Sequence, residues 1–183
     1  DMPSLCQSLG ALGFIYRILG EWEKSEKFRN EALSISQRLN DFQSLTLCYF
    51  ALGLLHFDKG EHAKAKEFFE MMEEVLEKAG AKYSQMFNSQ YLIWTYIELG
   101  ETEKAKNLID STFRFALQVK NKDLIACIDA LKAILLRHQK KWEESIDYFE
   151  KSLKEFEALK ARRWSPHGFA KMVLYEYAQA CLE

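Results

Sequence analysis

The hydrophobic residues at the start of the chain recur every three or four positions, which is the spacing of one face of an α-helix. Leu5, Leu9 and Leu12 follow this spacing, and Gly20 comes after the end of the segment. Glycine at that place predicts a helix end, because the left-handed conformation that terminates helices costs glycine no strain. A second segment with helical spacing ends before Asn40-Asp41, a pair typical of turns. The pattern therefore predicts a hairpin of two helices, which cannot bury its own apolar face alone.

This hairpin pattern is repeated along the chain with a period of 40 residues. The matching stretches occupy residues 19–25, 59–65, 99–105 and 139–145. A fixed period in this range is characteristic of proteins built from stacked helical repeats. We predict helix pairs at residues 4–19 and 22–39, 43–58 and 62–79, 83–98 and 102–119, and 123–139 and 142–160, followed by a ninth helix from about residue 166. The corresponding units are 4–40, 41–80, 81–121 and 122–161, with an incomplete fifth unit at 165–183.

Particular residue types recur at equivalent places in these units. The first unit carries Leu12-Gly13 followed by Tyr16, then Gly20, a small residue at Ser25 and an aromatic residue at Phe28. This arrangement resembles the tetratricopeptide repeat (TPR), whose usual unit is about 34 residues. The resemblance implies an all-α fold, a right-handed α-solenoid of antiparallel helix hairpins with about nine helices, in a single domain over residues 1–183. The longer units predict longer helices and are similar to those of large signalling ATPases, cyclase-linked regulators and mitotic scaffold proteins.

The last two units depart from this pattern. In the fourth unit Lys140 stands in place of glycine. The fifth begins at Ser165-Pro166, a favourable helix start, and Phe169–Leu182 is apolar over most of its circumference. A helix that closed the array would be polar on its outer side, so we interpret this one as the first helix of an unfinished unit or as a surface covered by a second copy. Together with the start at Asp1, it leads us to expect a part of a larger protein.

Composition and charge narrow the class of partner. Hydrophobic residues make up 48% of the 183 residues, and the formal net charge of −2 argues against general attraction to nucleic acid or to anionic membranes. The sequence holds no apolar run of the roughly 20 residues that a membrane-spanning helix needs. Cys6, Cys48, Cys127 and Cys181 are scattered among apolar neighbours. We therefore expect buried, reduced thiols in a cytoplasmic protein.

No sequence motif marks a catalytic centre, a metal site or a cofactor site. Neither a Gly-rich phosphate loop nor a nucleophile elbow is present. The four histidines lack a neighbouring His or Cys at metal-ligand spacing. His56 takes the place that Tyr16 and Tyr96 take in other units, so we expect it to be packed against its neighbours. The sequence therefore predicts a protein that is not an enzyme and that holds no metal and no cofactor.

The resemblance implies a surface for protein or peptide partners. In the TPR family the first helix of each unit lines a concave groove. Carried onto this chain, the groove residues are Phe14, Arg17, Phe50, Leu54, Phe57, Phe87, Gln90, Trp94, Ile97 and Arg137. An aromatic floor with arginines beside it predicts binding of an apolar or amphipathic helix, or of an extended peptide. The family's carboxylate clamp is not expected, because its places are taken by Gly10, Phe14, Ala51, Phe87 and Tyr91.

Three alternatives stay open at this point. In the first, the aromatic residues fill the interior of the superhelix, and replacing Trp94 by alanine separates a loss of binding from a loss of stability. In the second, the chain is the peptide- or small-ligand-receptor region of a signalling regulator that changes its superhelical pitch on binding. In the third, it is a self-association module that forms a homodimer through the groove or through the ninth helix.

Overall fold

Helices account for nearly all of the chain that the structure describes. The computed structural model describes residues 1–158 and 169–182. Within these ranges lie α1 Met2–Ile18, α2 Trp22–Leu39, α3 Phe42–Asp58, α4 His62–Lys78, α5 Lys82–Glu98, α6 Thr102–Gln118, α7 Lys122–His138, α8 Trp142–Ala158 and α9 Phe169–Leu182. The predicted all-α fold is confirmed for this part of the chain, and the first eight helices begin and end close to the predicted residues. The predicted helix start at Ser165-Pro166 lies outside the described residues.

The helices follow one another at half of the 40-residue period. The first eight begin at residues 2, 22, 42, 62, 82, 102, 122 and 142, and a residue with positive φ precedes each of the last seven starts, at 20, 40, 60, 80, 100, 120 and 140. Glycine fills four of these places, whereas Asn40, Lys120 and Lys140 fill the others. The fourth unit thus departs from the repeat pattern in sequence and not in backbone conformation.

The turn at Lys140 has the same hydrogen-bond geometry as the turn at Gly20, the equivalent residue of the first repeat. After Gly20, the backbone N–H of Glu21 donates to the Tyr16 carbonyl at 2.9 Å. After Lys140, the N–H of Lys141 donates to the Leu136 carbonyl at 3.0 Å. Both bonds pair an otherwise unsatisfied carbonyl of the preceding helix end. Lys140 adopts this conformation at φ 61°. In this left-handed region its Cβ lies too close to the following carbonyl oxygen, which costs conformational energy.

The described chain divides into two compact units, each larger than a single repeat. From here on, the first unit means residues 1–95 and the second unit means the described residues from 96 onward. The hairpins of the first unit close tightly at two glycines of their first helices. A Cβ on Gly53 would come within 2.5 Å of the Phe69 ring, and the Ser25 hydroxyl donates to the Gly13 carbonyl at 2.7 Å. Small residues are therefore required where α1 meets α2 and where α3 meets α4. The largest fully buried side chains of this unit are Leu52, Leu55, Phe69, Met72, Tyr91 and Ile93.

The second unit begins at residue 96 and contains α6 to α9. The Ser145 hydroxyl donates to the Ala133 carbonyl at 2.8 Å, which repeats the hydrogen bond between the helices of the first hairpin. Its largest fully buried side chains are Leu124, Ile128, Leu131, Ile134 and Phe149. Helix α9 packs against α7 and α8 and leaves Leu174, Tyr175 and Leu182 exposed. Both interpretations of α9, an unfinished unit or a dimer surface, remain proposals.

Replacing Lys140 by glycine is expected to stabilise the chain by about 1 kcal/mol, because glycine adopts positive φ without a Cβ clash. The reverse change, Gly100→Ala, is expected to destabilise it by a similar amount. A Cβ on Gly100 would meet nothing within 4 Å in its surroundings, so the expected cost lies in the backbone conformation. Urea unfolding of the three proteins measures both effects. Equal stabilities would contradict the steric account of these turns.

Candidate partner-binding surface

The predicted groove residues divide into a buried majority and a more accessible minority. The buried ones are Phe50, Leu54, Phe57, Gln90, Trp94 and Ile97, with 2–7% of each exposed. Phe14 is exposed, whereas Arg17, Phe87 and Arg137 are half-buried. In this conformation the buried side chains are closed to a partner. Their role in binding stays a prediction, and it requires the packing around them to open.

Most of the buried aromatic side chains of the first unit contact one another. The Phe57 ring meets Trp94 at a centroid distance of 5.4 Å and Tyr91 at 6.1 Å, edge-on in both pairs. The Phe50 ring meets Tyr91 at 5.6 Å and Phe69 at 6.1 Å. Such pairs contribute about 0.5–1.5 kcal/mol each beyond the burial of area. These rings, which we call the aromatic core, favour the alternative in which the aromatic residues fill the interior.

Both predicted flanking arginines form ion pairs between helices. Arg17 of α1 pairs with Asp58 at the end of α3, and Arg137 of α7 pairs with Glu176 of α9, each with an N–O distance of 2.5 Å. Burial raises the pKa of Asp58 and that of Glu176, although the neighbouring arginine acts in the opposite direction on each. Desolvation of each carboxylate thus outweighs its attraction to the arginine. The arginines connect helices within their units and are not free charges beside a groove.

Gln90 has a buried amide that is only half satisfied. Its side-chain nitrogen Nε2 donates to the Phe87 carbonyl at 3.2 Å. Its oxygen Oε1 is buried and has no hydrogen-bond partner among the described residues. An unpaired buried acceptor costs roughly 1–3 kcal/mol. A ligand that brought a hydrogen-bond donor to this oxygen would remove the cost.

A short apolar surface on α3 and α5 was only partly predicted from the sequence. Leu47 is 67% exposed and Tyr83 is 54% exposed, and the Tyr83 ring stacks on Phe87 at 6.4 Å with an interplanar angle of 6°. Leu47 and Phe87 hold the same repeat position on α3 and α5. We call these three residues the exposed strip. Tyr83 was not predicted, because it lies one turn before the family's groove positions. Its spacing of four residues from Phe87 does indicate that the two share a helix face.

His56 takes part in structural packing, as its repeat position predicts. The side chain is buried, its Nδ1 lies 2.7 Å from a Glu61 carboxylate oxygen, and its ring stacks on Phe68 at 5.3 Å. The Lys59 ammonium lies 2.9 Å from the other Glu61 oxygen, and these two contacts hold the pKa of Glu61 at about 2. Across the described ranges no three His, Cys, Asp or Glu residues are grouped to hold a metal ion.

The cysteines follow the prediction in three of four places. Cys6, Cys48 and Cys127 are buried free thiols. Burial raises the pKa of Cys48 and of Cys127, which makes both poor nucleophiles. The prediction of burial is wrong for Cys181, which is exposed. The reason is its place on α9, whose buried side carries Val173, Glu176 and Ala180.

A known family matches the first part of the chain. Its sequence profile, described as Tetratricopeptide repeat, matches residues 4–78. Residues 4–78 therefore carry tetratricopeptide repeats. Among known proteins, the Tonsoku-like protein of Danio rerio is 24% identical over 102 residues, which make up 56% of this chain and 7% of that protein.

Solved structures of TPR proteins share the fold of this chain. A signal transduction ATPase with numerous domains (STAND) from Pyrococcus horikoshii, which has a tetratricopeptide repeat sensor, matches all of this chain and 28% of its own with a TM-score of 0.78 at 18% identity. The TPR-like repeats of a kinesin light chain from Podosopora anserina match all of this chain and 87% of their own with a TM-score of 0.70 at 16% identity. These likenesses confirm the predicted fold class.

The fold and the matched repeat family indicate only a general class of function. TPR repeats generally mediate protein–protein interaction or scaffolding, and the fold is typically non-catalytic. The chain spans 7% of the Tonsoku-like protein and 28% of the STAND protein, so it matches only a small part of either relative. In the described residues, no helix combines the length and the apolar character that crossing a membrane requires.

Replacing Trp94 by alanine is expected to lower the free energy of unfolding by about 3–5 kcal/mol, because it leaves a cavity in the aromatic core. Trp94 is 3% exposed and contacts Phe57. Replacing the exposed Tyr83 by alanine serves as the control and is expected to cost less than about 1 kcal/mol. Urea unfolding measures both. A Trp94 variant as stable as the control would show that the ring is not part of a packed interior.

Proposed function

We propose that this TPR chain is a protein-interaction module that binds an apolar or amphipathic peptide at the exposed strip of Leu47, Tyr83 and Phe87. The observation that carries the proposal is the contrast in exposure along the first helices. The aromatic core is closed, whereas Leu47 and Tyr83 present 67% and 54% of their surface to solvent. Apolar side chains that a folded protein leaves exposed on its surface are often part of interaction sites.

The residues of the exposed strip favour a peptide that brings an apolar side chain together with a free backbone N–H. An apolar side chain of the peptide would pack against Leu47 and the stacked rings of Tyr83 and Phe87. Gln90 donates to the Phe87 carbonyl, and its unpaired Oε1 would accept a peptide N–H once the half-buried Phe87 side chain shifts. Arg17 and Arg137 are engaged in ion pairs. Binding is therefore expected to depend on buried apolar area and to change little with salt.

The likeness to a STAND protein with a TPR sensor supports a role as a scaffold or sensor within a larger cytoplasmic signalling protein. In this role the repeats hold a partner in place and the chemistry belongs to other domains. The second alternative, a receptor for a peptide or small ligand, uses the same strip with a smaller ligand.

Selection of peptides on the folded chain tests the proposal. A phage-displayed library of random 16-residue peptides is panned on the wild-type protein, and the enriched peptides are synthesised for fluorescence anisotropy. We expect an enriched apolar pattern, and a Kd that Leu47→Asp raises at least tenfold without a change in Tm. Met71→Asp is the matched control, because Met71 is also exposed and apolar (44%) but lies on the second helix α4.

The variant Gln90→Leu separates binding from stability. It removes the unpaired buried oxygen, so the chain is expected to be at least as stable as wild type while the selected peptides bind more weakly. No enriched pattern, or equal binding to the Leu47→Asp variant and to wild type, would refute the proposed site.

A further inference from the structure

An arginine takes a core position in the first hairpin. Arg29 of α2 is only 5% exposed. The equivalent positions of the later second helices hold apolar residues that are 0–2% exposed, namely Phe69, Ile109 and Phe149. The arginine lies against α1, where a Cβ on Gly13 would come within 2.8 Å of its side chain. A charged group is thus held where the other hairpins bury an apolar side chain.

The buried guanidinium of Arg29 is largely unpaired. Its Nε donates to the Ser25 hydroxyl at 3.3 Å, and its two terminal nitrogens have no hydrogen-bond or ion-pair partner among the residues that the structure describes. Burial, and after it the charge of Arg17, lower the pKa of Arg29 to about 10, so the side chain is charged at neutral pH. A buried charge without a partner is costly, and an anion bound beside it would remove that cost.

The charges around Arg29 leave a surplus of one positive charge. Asp58 is the carboxylate that acts on Arg29, but it already pairs with Arg17. The Nε of Arg17 is also buried without a hydrogen-bond partner in the described part of the chain. The Cys48 thiol is close to Arg29 as well, and it is neutral because burial raises its pKa. Two guanidinium groups thus share one carboxylate, and a single negative charge would balance them.

The surroundings of the arginine lack the rings that fill the same place in the second hairpin. There Phe69 contacts Phe50 and Tyr91, with 6.1 Å between ring centroids in each pair. The residues equivalent to Phe50 and Tyr91 are Gly10 and Ala51. A Cβ on Gly10 would meet nothing within 4 Å, and both small residues are half-buried. Open space that solvent reaches is therefore present where the aromatic core is closed.

We propose that Arg29 binds a carboxylate group in the space beside Gly10 and Ala51. A carboxylate brings the single negative charge that balances the surplus, whereas a phosphate group brings about two at neutral pH. Its two oxygens also match the forked N–H groups of a guanidinium. The carboxylate belongs to a small organic acid with an apolar body or to an acidic side chain of a partner protein.

This site differs from the other surfaces already described. The family's carboxylate clamp would draw its charge from first helices, where Gly10 and Ala51 take two of its places, whereas Arg29 lies on the second helix α2. The site is separate from the exposed strip, and it does not depend on the proposed function.

Isothermal titration calorimetry with benzoate tests the site, because benzoate carries one carboxylate on an apolar ring. We expect it to bind the wild-type chain, and benzyl alcohol, which has the ring without the charge, to bind at least tenfold more weakly. Arg29→Leu is expected to fold, because Ile109 holds the same repeat position, and to weaken benzoate binding at least tenfold. Arg38→Leu is the matched control, since Arg38 is exposed on the same helix, and it is expected to leave the affinity unchanged.

A second variant, Gly10→Phe, tests the open space without changing the charge. It gives the first hairpin the residue that the second hairpin has at Phe50, so the new ring is expected to exclude benzoate. The Tm is expected not to fall, because a Cβ at this place meets no atom within 4 Å and glycine is unfavourable inside a helix.

Two further probes define the ligand. A capped tripeptide whose only charge is a glutamate side chain separates the two sources. Tighter binding than that of benzoate, lost in Arg29→Leu, assigns the carboxylate to a protein, and weaker binding assigns it to a small acid. Phenyl phosphate is expected to bind more weakly than benzoate, because its second charge has no counterpart.

The proposal is overturned if benzoate does not bind the wild-type chain, or if it binds the Arg29→Leu or the Gly10→Phe variant as tightly as wild type. It is also overturned if benzyl alcohol or phenyl phosphate binds at least as tightly as benzoate, because the site would then not be selective for a carboxylate.

Discussion

The constraint on which the structure depends is that a first helix of these repeats must be covered on two sides. Its own hairpin partner covers one side, with close approach at glycine, as between Gly53 and Phe69. The preceding second helix covers the other side, as α2 covers α3. A first helix is therefore apolar around most of its circumference, and a single hairpin cannot bury all of this apolar surface.

This constraint explains where the chain can bind a partner. Where both sides are covered, the apolar residues form interior, and the aromatic core of Phe57, Tyr91 and Trp94 is closed in this way. Other apolar side chains stay accessible, such as Leu47 and Tyr83 of the exposed strip. The proposed function concerns this strip.

Much of the fold could be predicted from the sequence because the turns are explicit. Glycine or asparagine stands at five of the seven positive-φ positions, and the apolar spacing defines the helices between them. Lys120 and Lys140 adopt the same conformation without any local signal. The period, and not the residue type, was the information that located those turns.

The site was harder to predict, because exposure depends on neighbours that the sequence does not name. The spacing of Trp94 and Phe57 is the same whether they line an open groove or meet in an interior, and their contact at 5.4 Å is a property of the packed helices. The sequence likewise gives no sign that Arg17 is paired, because its partner Asp58 lies 41 residues away on α3. Leu12 and Leu52 hold the same repeat position, yet Leu12 is 39% exposed and Leu52 is fully buried, so only the structure reveals the difference.

Native-state hydrogen exchange of α1 and α3 tests the central claim most directly. The two helices have similar apolar patterns but differ in whether a preceding second helix covers them. The account predicts that amides in α1 exchange through openings of lower free energy than those in α3, because less apolar surface must be exposed to open α1. Equal protection of the two helices would contradict the claim that a second covering helix is what stabilises a first helix.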